Sequence, residues 1–362
     1  MDNLILNLPS DDYRDTKFNK FHKRMAVKAV SRCHLSAFVY LLFAMALITV
    51  IQTVMMFVMG EEQTIKLFSE PYVIWGLQVL VMYILAYPVF LLMVRKLPKA
   101  ERLKSSMSFK EFLALFCIGT ALMSVGSNIS MMITEVIYEQ FGLTQAETTI
   151  DLIEQTPIEL IILVAVIIGP IFEELIFRKA FIDRISIYGD RMAVVISSFA
   201  FGLFHGNVDQ LIYATALGFV LGYIYTKTRR IGLSILMHML LNFMGTVPSL
   251  LIMDNIEKIA DIDPETLVED ADIMAYMTDA LPVIGVSLLQ NGIAFIGIIL
   301  LIKFIFDRKH KLSRECDVKV PFYHLPRVAI FNIGTIIFIV FCALQIVSTF
   351  IPYEEVASIL RV

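Results

Sequence analysis

Ile158-Glu-Leu-Ile-Ile-Leu-Val-Ala-Val-Ile-Ile-Gly-Pro-Ile-Phe172 is an apolar run that ends in two adjacent glutamates, Glu173 and Glu174, with Arg178 four residues after the second. A stretch of this length and hydrophobicity reads as a helix crossing a bilayer. Carboxylates at membrane depth are costly unless paired or functional, so the pair marks a candidate site as well as a span.

The rest of the chain repeats the pattern. With 57% hydrophobic residues, 18% charged residues and a mean hydropathy of +0.74, the 362 residues are too apolar for a soluble domain. The fold class is all-α, a polytopic transmembrane helix bundle. About nine spans are expected, over 37–59, 72–94, 112–134, 158–177, 192–205, 210–226, 231–251, 280–302 and 328–351, the fifth being the shortest. Placed on alternate sides of these spans, 27 of the 30 Lys and Arg residues share one side, and only Lys66, Lys258 and Arg361 lie on the other. This positive-inside bias predicts a cytoplasmic N-terminus and an outer C-terminus.

The expected organisation follows from these spans. A cytoplasmic basic arm (1–36) leads into three transmembrane helices (37–134). A four-helix core (156–251), an acidic outer loop (252–279) and two final transmembrane helices (280–351) complete the chain. The expected partners are the lipid bilayer and a membrane-associated protein or peptide. The basic residues follow topology, so no nucleic-acid partner is expected. Cys33, Cys117, Cys316 and Cys342 are scattered without metal-binding spacing and read as free thiols. The acidic loop, Asp254 to Asp279, lacks calcium-site spacing and reads as solvated.

Polar residues inside the spans are few. Glu159, Glu173 and Glu174 are the span acids, and Glu159 has a local explanation in a capping box of Thr156, Pro157 and Glu159. Of the six histidines, His205 and His238 are placed within spans, whereas His22, His34, His310 and His324 lie in arms, loops or span edges. His238 and Asn242 fall on one helix face, one turn apart, and Phe201 and His205 are related in the same way. Glu174 and Arg178 have the i, i+4 order of an ion pair, which leaves Glu173 pointing about 100° away. For Glu173 to reach the layer of the histidines, its helix must run on past Arg178 to about Ile187, with Arg178 and Lys179 paired or snorkelling. Gly169-Pro170 is expected to kink that helix. Gly218 and Gly222 form a close-packing motif for use within the bundle.

Glu173-Glu174-Leu-Ile-Phe-Arg178, Phe201-Gly-Leu-Phe-His205 and His238-Met-Leu-Leu-Asn242 resemble, in order and spacing, the EExxxR, FxxxH and HxxxN motifs of the CAAX protease and bacteriocin-processing family. That family of intramembrane endopeptidases includes the type II CAAX prenyl endopeptidases, and the resemblance spans roughly residues 156–250. It implies proteolysis within the membrane by an integral multi-pass protein, here expected in a bacterial plasma membrane. On this reading Glu173 and His205 activate water, His238 and Asn242 stabilise the oxyanion, and Glu174, Arg178 and Phe201 support them. Metal-free water activation is favoured modestly over a metal, and no cofactor is favoured. Zinc is the alternative, with Glu173, His205 and His238 as candidate ligands, although the HExxH helix of many zinc proteases is absent. A proton-coupled transporter and a catalytically silent immunity or scaffold protein are the other readings. The single polar cluster, without a repeat in a second half, speaks against transport.

Overall fold

The computed structural model describes residues 19–141, 156–260, 262, 270–307, 318 and 320–351. Its helices are α1 (Lys20–Met59), α2 (Glu61–Ser69), α3 (Pro71–Val94), α4 (Phe109–Phe141), α5 (Ile158–Tyr188), α6 (Asp190–Phe204), α7 (Val208–Thr228), α8 (Ile231–Leu251), α9 (Met253–Ala260), α10 (Asp270–Phe306), α11 (Phe322–Ala329) and α12 (Ile333–Ser348). Among the described residues there is no strand.

Among these residues, α1, α3, α4, α5, α7, α8 and α10 are long and apolar enough to cross a membrane, and α11 with α12, bent by 57°, make an eighth span if counted as one. The fifth expected span is α6, whose 15 residues reach only about 22 Å against a hydrocarbon core of about 30 Å. The bend in the last span occurs where Asn332 caps α12 by accepting from the Thr335 N–H.

Several boundaries differ from the sequence reading. The basic arm is helical from Lys20 and continuous with the first span, its earlier residues lying outside those described. The acidic segment is not a simple loop: α9 occupies Met253–Ala260 and α10 already begins at Asp270, with residues 261 and 263–269 outside those described. Asp279 joins the two helices, accepting from Asn255 at 3.1 Å and pairing with Lys258 at 3.9 Å. The capping box at the start of α5 does not form. Pro157 is the N-cap without a side-chain cap bond. Thr156 Oγ1 instead accepts from Trp75 at 3.2 Å, and Glu159 accepts from Tyr72 at 3.4 Å. The start of α5 is therefore fastened to α3 rather than to itself. Cys33, Cys117 and Cys342 are free thiols, and Cys316 lies outside the described residues.

Helices α5 to α8 form the centre. On one side α1, α3 and α12 close over α5 and α6 through a core containing Tyr40, Phe90, Phe177, Phe181 and Phe338. On the other, α4 and α10 cover α7 and α8 around Leu115, Leu217, Leu221 and Leu241. Lipid is as apolar as the side chains, so helices in a membrane associate through close packing and hydrogen bonds. The α6–α7 contact follows that rule. A Cβ at Gly202 would collide with Thr215 and stand 2.6 Å from the Leu211 carbonyl, and one at Gly218 would stand 2.8 Å from the Ser198 Cα. Gly222 has the same function against Val194, at 3.0 Å. Gly218 and Gly222 are thus used within the bundle, as their spacing predicts.

Two tight connections at one end of the bundle set the depth of these helices. Gly189, at φ +131°, turns α5 into α6, and Arg229, at φ +53°, turns α7 into α8. The guanidinium of Arg229 clamps the two turns, reaching Asp190 at 2.7 Å and Ser186 at 3.3 Å.

Candidate functional site

Helix α5 is continuous over 31 residues, and Glu173 is its middle residue. A rise of 1.5 Å per residue puts the carboxylate's Cα about 22 Å from either end. The charged residues beyond it do not end the helix, because each is paired. Arg178 is fully buried, and Lys179 bridges to Asp183 at 2.9 Å. Arg184 donates to the Val94 and Ala180 carbonyls at 2.9 and 3.0 Å. Helix α5 thus runs past Arg178 to Tyr188, the continuation that the sequence required for Glu173 to reach the layer of the histidines.

Around Gly169-Pro170 the helix widens. Residues Ile162–Ile168 and Leu175–Ile182 run in i→i−5 register, and Gly169–Glu174 between them is α-helical. Such wide turns inside a helix recur at functional sites, because they re-aim the side chains that follow. Gly169 is needed at this point, since a Cβ there would stand 3.1 Å from the Val164 carbonyl and 3.4 Å from Tyr83 Oη. Phe172 fixes the rotation of the segment. Its ring stacks on Tyr83 at 4.6 Å between centroids and meets Tyr87 edge-on at 5.0 Å.

The two glutamates have different surroundings. Glu174 is fully buried and accepts from Ser234 Oγ, while Arg178 Nη2 approaches its Oε1 to 3.2 Å. That approach lacks the alignment of a hydrogen bond, and the guanidinium is also held over the face of Phe201, 4.5 Å from the ring centroid. Glu173 is partly exposed at 22% and lines a cavity of about 580 Å³. His238 joins the pair: its Nδ1 is 3.1 Å from Glu174 Oε1 and its Nε2 is 3.6 Å from Glu173 Oε2. A carboxylate can only accept, so Nδ1 carries a hydrogen toward Glu174 and Nε2 is presented to Glu173 and the cavity.

His205 is not inside a helix, contrary to expectation. It is the C-cap of α6, where Gly206 at φ +66° reverses the chain and Asn207 caps α7 by accepting from the Gln210 N–H at 2.8 Å. The histidine is therefore at the tip of a hairpin. Its Nδ1 is 2.8 Å from the Phe201 carbonyl, which fixes Nδ1–H as the donor and leaves Nε2 as the acceptor. Phe201 is the common wall of the cluster, edge-to-face with His205 at 4.9 Å and with His238 at 5.6 Å. Glu173, His205, His238 and Asn242 all line the same cavity. Among the described residues no direct hydrogen bond or ion pair joins Glu173 to His205.

Asn242 and His238 both face α5, at different heights. Asn242 Nδ2 donates to the Ala165 carbonyl at 2.9 Å. In the widened register Gly169 N–H reaches Val164 O, so the next backbone donor, at position 170, would serve Ala165 O. Position 170 is proline and has no N–H. The side chain of Asn242 supplies the missing donor.

Residues 156–244 match the family model described as type II CAAX prenyl endopeptidase Rce1-like. The chain is 33% identical over 179 residues, 46% of its length and 69% of the relative's, to "Putative membrane peptidase YdiL" of Bacillus subtilis (strain 168). The chain belongs to the Rce1-like CAAX endopeptidase family. A second relative is membrane-embedded CAAX protease MroQ of Staphylococcus aureus (strain USA300), 26% identical over 173 residues, 45% of this chain and 69% of that protein. No solved structure matches. This Rce1-like protein is an integral multi-pass membrane protease.

The donor set of this Rce1-like site does not fit a resident metal. Among the described residues no three His, Cys, Asp or Glu side chains converge as ligands, and both nitrogens of His238 are already directed at glutamates. Sequence reasoning missed Ser234, which completes the cage around Glu174. The signal was present: Ser234, His238, Asn242 and Thr246 recur every fourth residue and form one polar stripe on a largely apolar helix.

Proposed function

We propose that this protease cleaves a peptide bond of a membrane-associated protein or peptide within the bilayer, with Glu173 and His205 as the water-activating pair. The observation that carries this reading is the convergence of Glu173, His205 and His238 on one cavity, with Glu173 at the midpoint of its helix. Glu173 takes a proton from a water whose second hydrogen is accepted by His205 Nε2. The resulting hydroxide attacks the scissile carbonyl carbon, and the oxyanion that forms is met by hydrogen-bond donors.

His238 Nε2 is one such donor when the ring carries hydrogens on both nitrogens, with Glu174 accepting from the other. The second hydrogen of Asn242 Nδ2, not used by Ala165, is the other donor. Collapse of the tetrahedral intermediate breaks the C–N bond, and Glu173 returns its proton to the departing amine. Glu174, Arg178 and Phe201 do not touch the reacting atoms on this reading. They orient His238 and keep the site rigid.

Reconstituted wild-type protein and its Glu173→Ala and His205→Ala variants provide the test. Both substitutions should abolish cleavage with helical content and unfolding midpoint retained. Full activity in either folded variant overturns the assignment. Comparing membrane proteins and secreted peptides from wild-type cells and a Glu173→Ala strain would identify the substrate, as species that accumulate uncleaved in the latter.

A further inference from the structure

The cavity does not end at the proposed catalytic groups. It climbs α5 from Glu173 through Gly169 to Ala165 and Val164, and climbs the antiparallel α8 from His238 through Asn242 to Thr246. Facing this extension are helices outside residues 156–244. Gln78 comes from α3, Ser124 and Ser127 from α4, and Gln290 and Asn291 from α10. Among the described residues Glu173 is the only Asp, Glu, Lys or Arg in the lining.

Neutral amides and hydroxyls are costly in a membrane span unless they serve a polar partner. Here they come from α3, α4, α8 and α10 to line one cavity, and they act both as donors and as acceptors. An extended peptide has that same alternation of N–H and C=O groups, and it loses its own hydrogen bonds when drawn out of water or out of a helix for cleavage. Apart from Glu173 a charged side chain finds no counter-ion among the described lining residues, and a long prenyl chain offers no partner to the hydroxyls and amides there. From His238 to Thr246 the extension is about 12 Å long at helical rise. An extended chain at about 3.3 Å per residue fills that length with about four residues.

We infer that the extension of the cavity lined by Ser124, Ser127 and Asn291, and also by Gln78, Gln290 and Thr246, is a subsite for about four residues of an extended, uncharged, unprenylated peptide on one side of the scissile bond, held through its backbone. This rests on the proteolytic reading above and gives it a substrate class. It also assigns selectivity to α4 and α10, which the family match does not include. Gln290 already donates to the Met244 carbonyl at 2.9 Å and so also fixes α10 against α8. Asn291 and Ser127 are the better probes.

The test uses full-length protein in liposomes and a pool of quenched-fluorescent decapeptides with neutral randomised sequence, each in plain and farnesylated form. Wild type should cleave plain peptides. Ser127→Ala/Asn291→Leu should raise KM about tenfold with a much smaller change in kcat and an unchanged unfolding midpoint. N-methylating the peptide backbone within four residues of the cleaved bond on one side should raise wild-type KM similarly. An unchanged KM in the folded double variant, or a KM at least tenfold lower for the farnesylated peptides, overturns the subsite. Binding separates this failure from failure of the catalytic reading: a benzophenone-bearing peptide of the same pool should crosslink to α4 or α10 in Glu173→Ala protein. Crosslinks confined to other helices, or none, overturn the proposal even if cleavage is observed. Crosslinks to α4 or α10 without any cleavage by wild type sustain the subsite and overturn the catalytic reading.

Discussion

Asn242 donates to the carbonyl of Ala165, 77 positions earlier in the chain, at the place where Pro170 leaves α5 one backbone donor short. An acceptor left without a partner in a membrane costs about 1–3 kcal/mol. Asn242→Leu should therefore lower stability by that order, in addition to any loss of activity. Pro170→Ala restores a backbone N–H, so the double variant should recover much of the lost stability in thermal unfolding. If the oxyanion reading of Asn242 is correct, the double variant regains stability and stays impaired in cleavage.

The buried pair of Glu174 and Arg178 leads to a different expectation. Removing one member of a buried ion pair strands the other, at about 3–5 kcal/mol. Arg178→Leu should lower the unfolding midpoint strongly, whereas Glu173→Ala should leave it nearly unchanged, because Glu173 faces the cavity and Glu174 does not. Equal destabilisation by the two variants would contradict the division of labour between the glutamates.

Glycine substitutions test the hairpin that carries His205. Gly202→Ala and Gly218→Ala force a methyl group into the α6–α7 contact, where overpacking costs about 1–3 kcal/mol. Both should reduce cleavage by displacing the hairpin tip. Gly232→Ala is the control, since nothing stands within 4 Å of the added methyl. Measuring unfolding midpoints and turnover across the three variants checks the prediction.

The donor set predicts insensitivity to chelators. With His238 held between two carboxylates, prolonged dialysis against 1,10-phenanthroline should leave both turnover and the unfolding midpoint unchanged. Loss of either, restored by added zinc, would show that the side chains rearrange into a metal site.

What the sequence made legible was whatever is local or periodic. Apolar runs marked most of the spans, the i, i+4 spacing marked the approach of Arg178 to Glu174, and the need for Glu173 to be deep required the helix to pass Arg178. Features set by neighbours were not legible. The start of α5 looked self-capped, yet Thr156 and Glu159 turn to α3, because side chains across an interface compete with local caps. His205 read as helical because Phe201 and His205 keep the helical spacing up to the last turn. Only the backbone reversal at Gly206 shows that the chain has already left the helix. The attachment of His238 to both glutamates depends on how α8 crosses α5, which no spacing within one helix reports.

Glu173 and His205 are each sixteen residues from Gly189, one on either arm of the hairpin that turns there. The hairpin is thus a ruler. Deleting one residue from either arm would slide that arm by about 1.5 Å and swing its functional group by about 100°. The count from 173 to 205 therefore cannot change without disturbing the site.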